Sequence, residues 1–263
     1  MKKNYEMDMC SGPILGKLLT FTIPLIFSGI LQLLFNAADV IVVGRFAGSQ
    51  SLAAVGSTTA LINLMINIFI GLSVGVNVIV ARYYGAKREK DVQDTIHTAM
   101  ALSIVSGLFL IIVGQLLSRP MLELMGTPDD VIAQATLYMK IYFLGMPFFM
   151  LYNYGAAILR AVGDTKRPLF YLIISGVINA ILNMILVIVF HMAVEGVAIA
   201  TVISQLISCV LVLRCLYRSE GSYQLRFSKL TMKKAYLMQI FQVGVPAGIQ
   251  STVINFSNAL LQS

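Results

Sequence analysis

Asp39 lies in the run LQLLFNAADVIVVG, Leu31–Gly44, where nearly every neighbour is apolar. Ser28, Gln32, Asn36 and Asp39 fall at i, i+4, i+8 and i+11, so a helix would carry all four along one face. Ser175, Asn179 and Asn183 repeat the four-residue spacing in a second apolar run. Thr201, then Ser204 or Gln205, then Ser208 do so in a third, and Ser251, Asn255, Asn258 and Gln262 in a fourth. Asn63 and Asn67 add a pair in a fifth. A lone Ser, Thr or Asn in such a run is accounted for by an interhelical hydrogen bond, worth under about 1 kcal/mol. A carboxylate is not, since at bilayer depth it costs roughly 2.5–3.5 kcal/mol on insertion scales. Several stripes and one carboxylate together point to a water-accessible cavity between helices. The chemistry on offer is binding rather than bond-making. No HExxH, GxSxG, Walker loop, GxGxxG or paired intramembrane aspartates occur, and His97 and His191 fall at expected interfacial positions.

These stripes need apolar helices to carry them, and the composition supplies them. Of 263 residues 58% are hydrophobic and 12% charged, with a mean hydropathy of +0.83. A soluble domain carries about 25% charged residues, so this chain has too few to cover a water-facing surface. The expected fold is all-α, polytopic and membrane-embedded. At about 20 apolar residues per span, six complete spans are expected: Ile14–Val43, Leu52–Val80, Ile96–Leu117, Val131–Leu151, Leu169–Phe190 and Val194–Leu216. A seventh begins near Leu237. The expected domains are a six-helix bundle over 1–217, a linker over 218–236 and the start of a second bundle over 237–263. In the linker, KLTMKKAYLMQIF suits an amphipathic interfacial helix. Pro24 and Pro246 each remove a helical hydrogen bond, so Pro24 is a candidate hinge as well as a passive kink. Gly71 and Gly75 form a GxxxG pair suited to close helix packing. Cys10, Cys209 and Cys215 show no metal or disulfide spacing and read as small buried hydrophobes.

The net charge of +7 is distributed like a membrane protein's. Sixteen of the 19 Lys/Arg fall in the N-terminus and the even loops, leaving Arg45, Arg119 and Lys140 for the other side. The positive-inside rule places the N-terminus in the cytoplasm of a multi-pass protein of the cell (inner) membrane. No aromatic-studded basic face appears, so nucleic acid is not an expected partner. The first apolar run is too long for a signal peptide and lacks a cleavage site. A channel would need a filter-like stretch, and none is visible.

At an offset of 222 residues, Pro24 matches Pro246, Asn36 matches Asn258 and Ala37 matches Ala259. Six spans followed by a copy of the first suggest a parallel repeat. The first span with NAAD, RYYGAKRE after the second, ILRAVGDTKRP after the fourth and GVAIATVISQ in the sixth resemble the multidrug and toxic compound extrusion (MATE) family. The resemblance runs in order from Gly12, and its most specific piece is Arg160 to Pro168.

What the resemblance implies is a twelve-helix secondary exporter of two six-helix bundles, of which this chain holds the N-terminal half and the opening of helix seven. Such proteins extrude cationic or amphipathic drugs in exchange for Na⁺ or H⁺ by alternating access, without a cofactor. The family's cation site falls here on Asp39, Asn179, Asn183 and Thr201, with Asn153 as a further amide. Ser28, Gln32, Asn36, Ser175 and Gln205 become candidate cavity-lining residues. Some relatives carry a second aspartate where this sequence has Asn183, which leaves the choice between Na⁺ and H⁺ open. One carboxylate with several neutral oxygens suits a hard cation. Expected partners are organic cations, the lipid bilayer and the missing C-terminal bundle. The family's length is about twice this one, so the expected form is a shortened exporter that inserts but does not transport. A lipid-linked oligosaccharide flippase of the same superfamily is the alternative. It would want cations along the stripes, and no Lys or Arg is expected deep in a span.

Overall fold

The computed structural model describes residue 7 and residues 14–262, with side chains described at residue 7 and at 15–253. The helices are α1 Ile14–Val42, α2 Ser49–Gly85, α3 Glu89–Leu124, α4 Asp129–Leu144, α5 Met146–Ala161, α6 Lys166–Met184, α7 Val194–Arg218 and α8 Lys234–Gln262. No strand occurs among the described residues, as a chain of long apolar runs requires in a medium without water to satisfy loose backbone groups. α1, α2, α3, α6 and α7 are each long and apolar enough to cross a membrane, and α4 with α5 makes a sixth crossing.

That sixth crossing runs past the expected Val131–Leu151 to Ala161, and it is bent. α4 and α5 meet at a 49° bend at Gly145. Pro147, in the first turn of α5, has no N–H to continue the ladder. Gly107 of α3 lets the Pro147 backbone lie close, where a β-carbon would collide with it. The bend turns Phe143, Met146 and Met150 into the core, each without exposed surface.

The core is built by α2, α3, α4, α5 and α7, with Leu72, Val76, Ile96, Met100, Tyr154 and Val212 among its buried members. α1 stands outside it, packed chiefly on α6, with Leu33, Leu34 and Ile41 exposed. α8 packs along α2, where Gly71 and Gly75 meet Gly244 and Gly248 backbone to backbone. The GxxxG pair is thus close packing, with a partner that carries its own.

At the Lys/Arg-rich end, the loop Arg160–Pro168 closes α5 and opens α6. Gly163 adopts φ +87°, and the Asp164 N–H reaches back to the Leu159 carbonyl. Asp164 is fully buried, pairs with the Arg167 guanidinium and accepts the Arg167 backbone N–H at 3.1 Å. The linker after α7 forms only a short 3₁₀ turn, Phe227–Lys229, and no separate interfacial helix. Lys234–Phe241 is instead the opening of α8, because the linker is fastened to α3. Lys233 pairs with Asp94 at 2.6 Å, and Tyr236 donates to Asp91 at 2.6 Å. The Arg226 N–H donates to His97 Nε2 at 3.2 Å, so His97, 3% exposed, fastens the linker to α3. His191 lies in the exposed turn before α7. Cys209 and Cys215 are buried and free, while Cys10 lies outside the described residues.

Candidate cation-binding site

Asp39 stands one turn before α1 passes into a π-helical turn, Val43–Ala47, and Asn183 two residues before α6 does the same at Ile185–Val189. Such turns alter which face a helix presents and concentrate at functional sites. α1 and α6 approach closely because Gly176 has no side chain. The Phe35 ring fills the place where a β-carbon would stand. Asp39, one turn beyond Phe35, is then within reach of Asn183.

Three helices meet in one hydrogen-bonded chain. Asn183, fully buried, donates its amide to the Asp39 carboxylate and to Asn179 Oδ1 at 3.3 Å. Asn179 Nδ2 donates to Thr201 Oγ1 of α7 at 3.5 Å, and that hydroxyl donates to the Val197 carbonyl at 2.9 Å. Asn183 Oδ1 is buried with no hydrogen-bond partner among the described residues. A buried acceptor left unmet is costly. It is also what a cation could use.

The oxygens gathered here are the Asp39 carboxylate, Asn179 Oδ1, Asn183 Oδ1 and Thr201 Oγ1. This all-oxygen set with one formal charge would suit a hard monovalent cation better than a transition metal. Among the described residues no group of three His, Cys, Asp or Glu converges.

The other residues of the stripes divide. Ser28 donates to the Pro24 carbonyl at 2.8 Å and Ser175 to the Leu172 carbonyl at 3.1 Å, so each is satisfied within its own helix. Gln32 and Asn36 are exposed on α1. Asn153 does not join the cluster, since its amide donates to Phe149 one turn back in α5, at 2.8 Å. Gln205 lies against the Gly145 bend, its Oε1 buried without a partner among the described residues. Asn255, Asn258 and Gln262 lie outside the residues whose side chains are described. Two residues escaped the sequence reading. Tyr138 and Tyr142 of α4 stack at 6.0 Å between ring centroids. Their i, i+4 spacing in TLYMKIYF was the available signal.

The MatE family model matches residues 24–185. The chain is similar to the probable multidrug resistance protein YoeA of Bacillus subtilis (strain 168), 32% identical over 246 residues, covering 90% of this chain and 53% of YoeA. Its fold resembles a crystal structure of a MATE protein in the bent conformation, with TM-score 0.83 and 24% identity over 89% of this chain and 52% of that one. It also resembles a MOP superfamily transporter from Pyrococcus furiosus, described by the reverse polarity of its binding pocket. There the TM-score is 0.82, with 25% identity over 90% of this chain and 52% of that one. The chain spans about half the length of the curated relatives it matches.

Proposed function

Because the chain belongs to the MatE family, we propose that it forms the first bundle of a secondary exporter of organic cations, coupled to Na⁺ or H⁺ and working by alternating access. The family is one of transporters, not enzymes. The observation that carries the coupling role is the chain from Asp39 through Asn183 and Asn179 to Thr201, which ties α1 to α6 and α7. Asp39 is the charge to be neutralised. When a cation or a proton meets it, the Asn183 amide no longer has an anion to hold, and α1 is freed to take another packing or bend near Pro24. An empty site holds α1 on α6. Occupancy therefore becomes shape. The bundle lies in the cell (inner) membrane with its N-terminus and Lys/Arg-rich loops in the cytoplasm, and works against a second bundle.

The test is efflux of a fluorescent organic cation from vesicles with imposed Na⁺ or pH gradients, using the chain with a co-expressed second bundle. Gradient-driven efflux is expected, and Asp39→Asn, which keeps shape but not charge, should abolish it while insertion is unchanged. Wild-type efflux by Asp39→Asn, with unaltered ion dependence, would overturn the reading. Cysteine at position 87 should be silent to an impermeant reagent outside intact cells, whereas one at 127 should label.

A further inference from the structure

At the end of the bundle away from Asp39, a cavity of about 730 Å³ opens among the last turns of α2 and α5, the start of α3, Phe21 of α1 and the turn after α7. Arg160, in the last turn of α5, lines it. The Arg160 Nε is buried with no acceptor among the described residues. A guanidinium cannot shed its proton to escape this, and a buried charged donor is stable only when something accepts from it.

The neighbouring charges do not supply that acceptor. The Asp164 carboxylate, four residues on, is committed to Arg167, one oxygen to its guanidinium and the other to its backbone N–H. Arg88 is held by Asp91 at 2.7 Å and lies 5.1 Å above the Tyr83 ring. Glu89 and Glu220 also line the cavity but are exposed, and Glu89 opens α3, where the helix N-terminus favours a negative charge. Lys87 is a further cation on the lining, beside Arg160 and Arg88, and is exposed. The rest of the wall is largely apolar, including Phe21, Ala81, Val92 and Val162. On α1, within two turns of Phe21, Leu15, Leu18 and Leu19 are exposed and offer an apolar surface near the cavity.

We propose that this cavity binds a phosphate-class anion through the Arg160 guanidinium, with Lys87 assisting, and that the headgroup of an anionic phospholipid supplies it. A planar fork of N–H donors matches phosphate oxygens, and the exposed leucines of α1 suit the acyl chains. The proposal rests on Arg160 and its cavity, not on the transport reading.

The purified chain in phosphatidylcholine nanodiscs, with or without phosphatidylglycerol, is read by native mass spectrometry for retained lipid and by thermal unfolding with added inorganic phosphate. Selective retention of phosphatidylglycerol is expected, and Arg160→Gln should weaken it about tenfold or more, the effect of losing a charge-assisted hydrogen bond. Stabilisation by inorganic phosphate without lipid retention would keep the anion site and move its source to solution. Neither retention nor stabilisation in the wild type, or equal binding by Arg160→Gln, would overturn the proposal. If Arg160→Gln does not fold, Lys87→Gln on the exposed rim decides. It should weaken binding with its unfolding temperature in phosphatidylcholine unchanged, and undiminished binding would sink the site.

Discussion

α1 and α8 are both 29-residue helices, each with an internal proline, and Pro24 and Pro246 stand 222 residues apart. The molecule uses them in opposite ways. α8 is seated on α2 by bare backbone, with Gly244 and Gly248 pressed against the turns that carry Gly71, Leu72 and Ile68. In α1, Gly16 and Gly29 meet nothing. α1 is held instead by the Phe35 ring over Gly176 and by the Asp39–Asn183 hydrogen bond. One pattern thus yields two kinds of attachment. A glycine crossing has a strength fixed by shape, whereas a carboxylate–amide contact has a strength that an ion can change. The difference lies in where the small residues fall relative to the proline, not in overall apolarity.

That contrast can be broken from either side. The largest effect is expected from Asp39→Asn, which should eliminate gradient-driven efflux while insertion is unchanged, because a permanently neutral side chain keeps the shape but leaves nothing for an ion to switch. A variant that fails to insert would assign Asp39 to stability and erase the distinction. Next comes Gly71→Leu. Its side chain would meet the α8 backbone, which cannot yield as a flexible side chain can, so a loss of about 3 kcal/mol or more is expected in chemical or thermal unfolding. Unchanged unfolding would show that α8 is not seated through this crossing. Asn183→Ala removes the partner of Asp39 and leaves a small void, for which a stability loss of about 1–3 kcal/mol is expected. It should also shift the ion concentration for half-maximal efflux, more mildly than Asp39→Asn. The smallest effect belongs to Gly29→Ala. With open space around it and a helical backbone, the alanine should stabilise α1 by about 0.5–1 kcal/mol, and a loss of stability there would reveal a close neighbour of α1.

The helices were legible because apolar runs of spanning length admit few other structures, and the polar stripes that carry Asp39, Asn179 and Asn183 because polar spacing survives as a face. What the sequence concealed was direction. Hydropathy cannot tell a straight span from one turned by 49° at Gly145, although the nearby Pro147 marked the place. A helical wheel places Ser28 and Ser175 on the polar face but cannot say that each hydroxyl is already taken by its own helix. Asn153 had the right residue type at a suggestive position, yet α5 turns it back on Phe149. Tyr138 and Tyr142 were hidden by being aromatic in an apolar helix, where their hydroxyls do not register in the pattern. The fastening role of His97 was hidden because its partner, the Arg226 backbone, is far away in the chain.

The glycine crossing also sets a timetable. Gly71 and Gly244 are 173 residues apart, so during synthesis α2 enters the membrane long before α8 exists to cover it. At about 5–20 residues per second, that interval is roughly 10–35 s. Throughout it a strip of naked backbone on α2 is open to any helix with small residues of its own, and to the proteases that police the bilayer. A slower ribosome, or a pause in the linker, would lengthen that exposure without changing a single contact in the finished bundle.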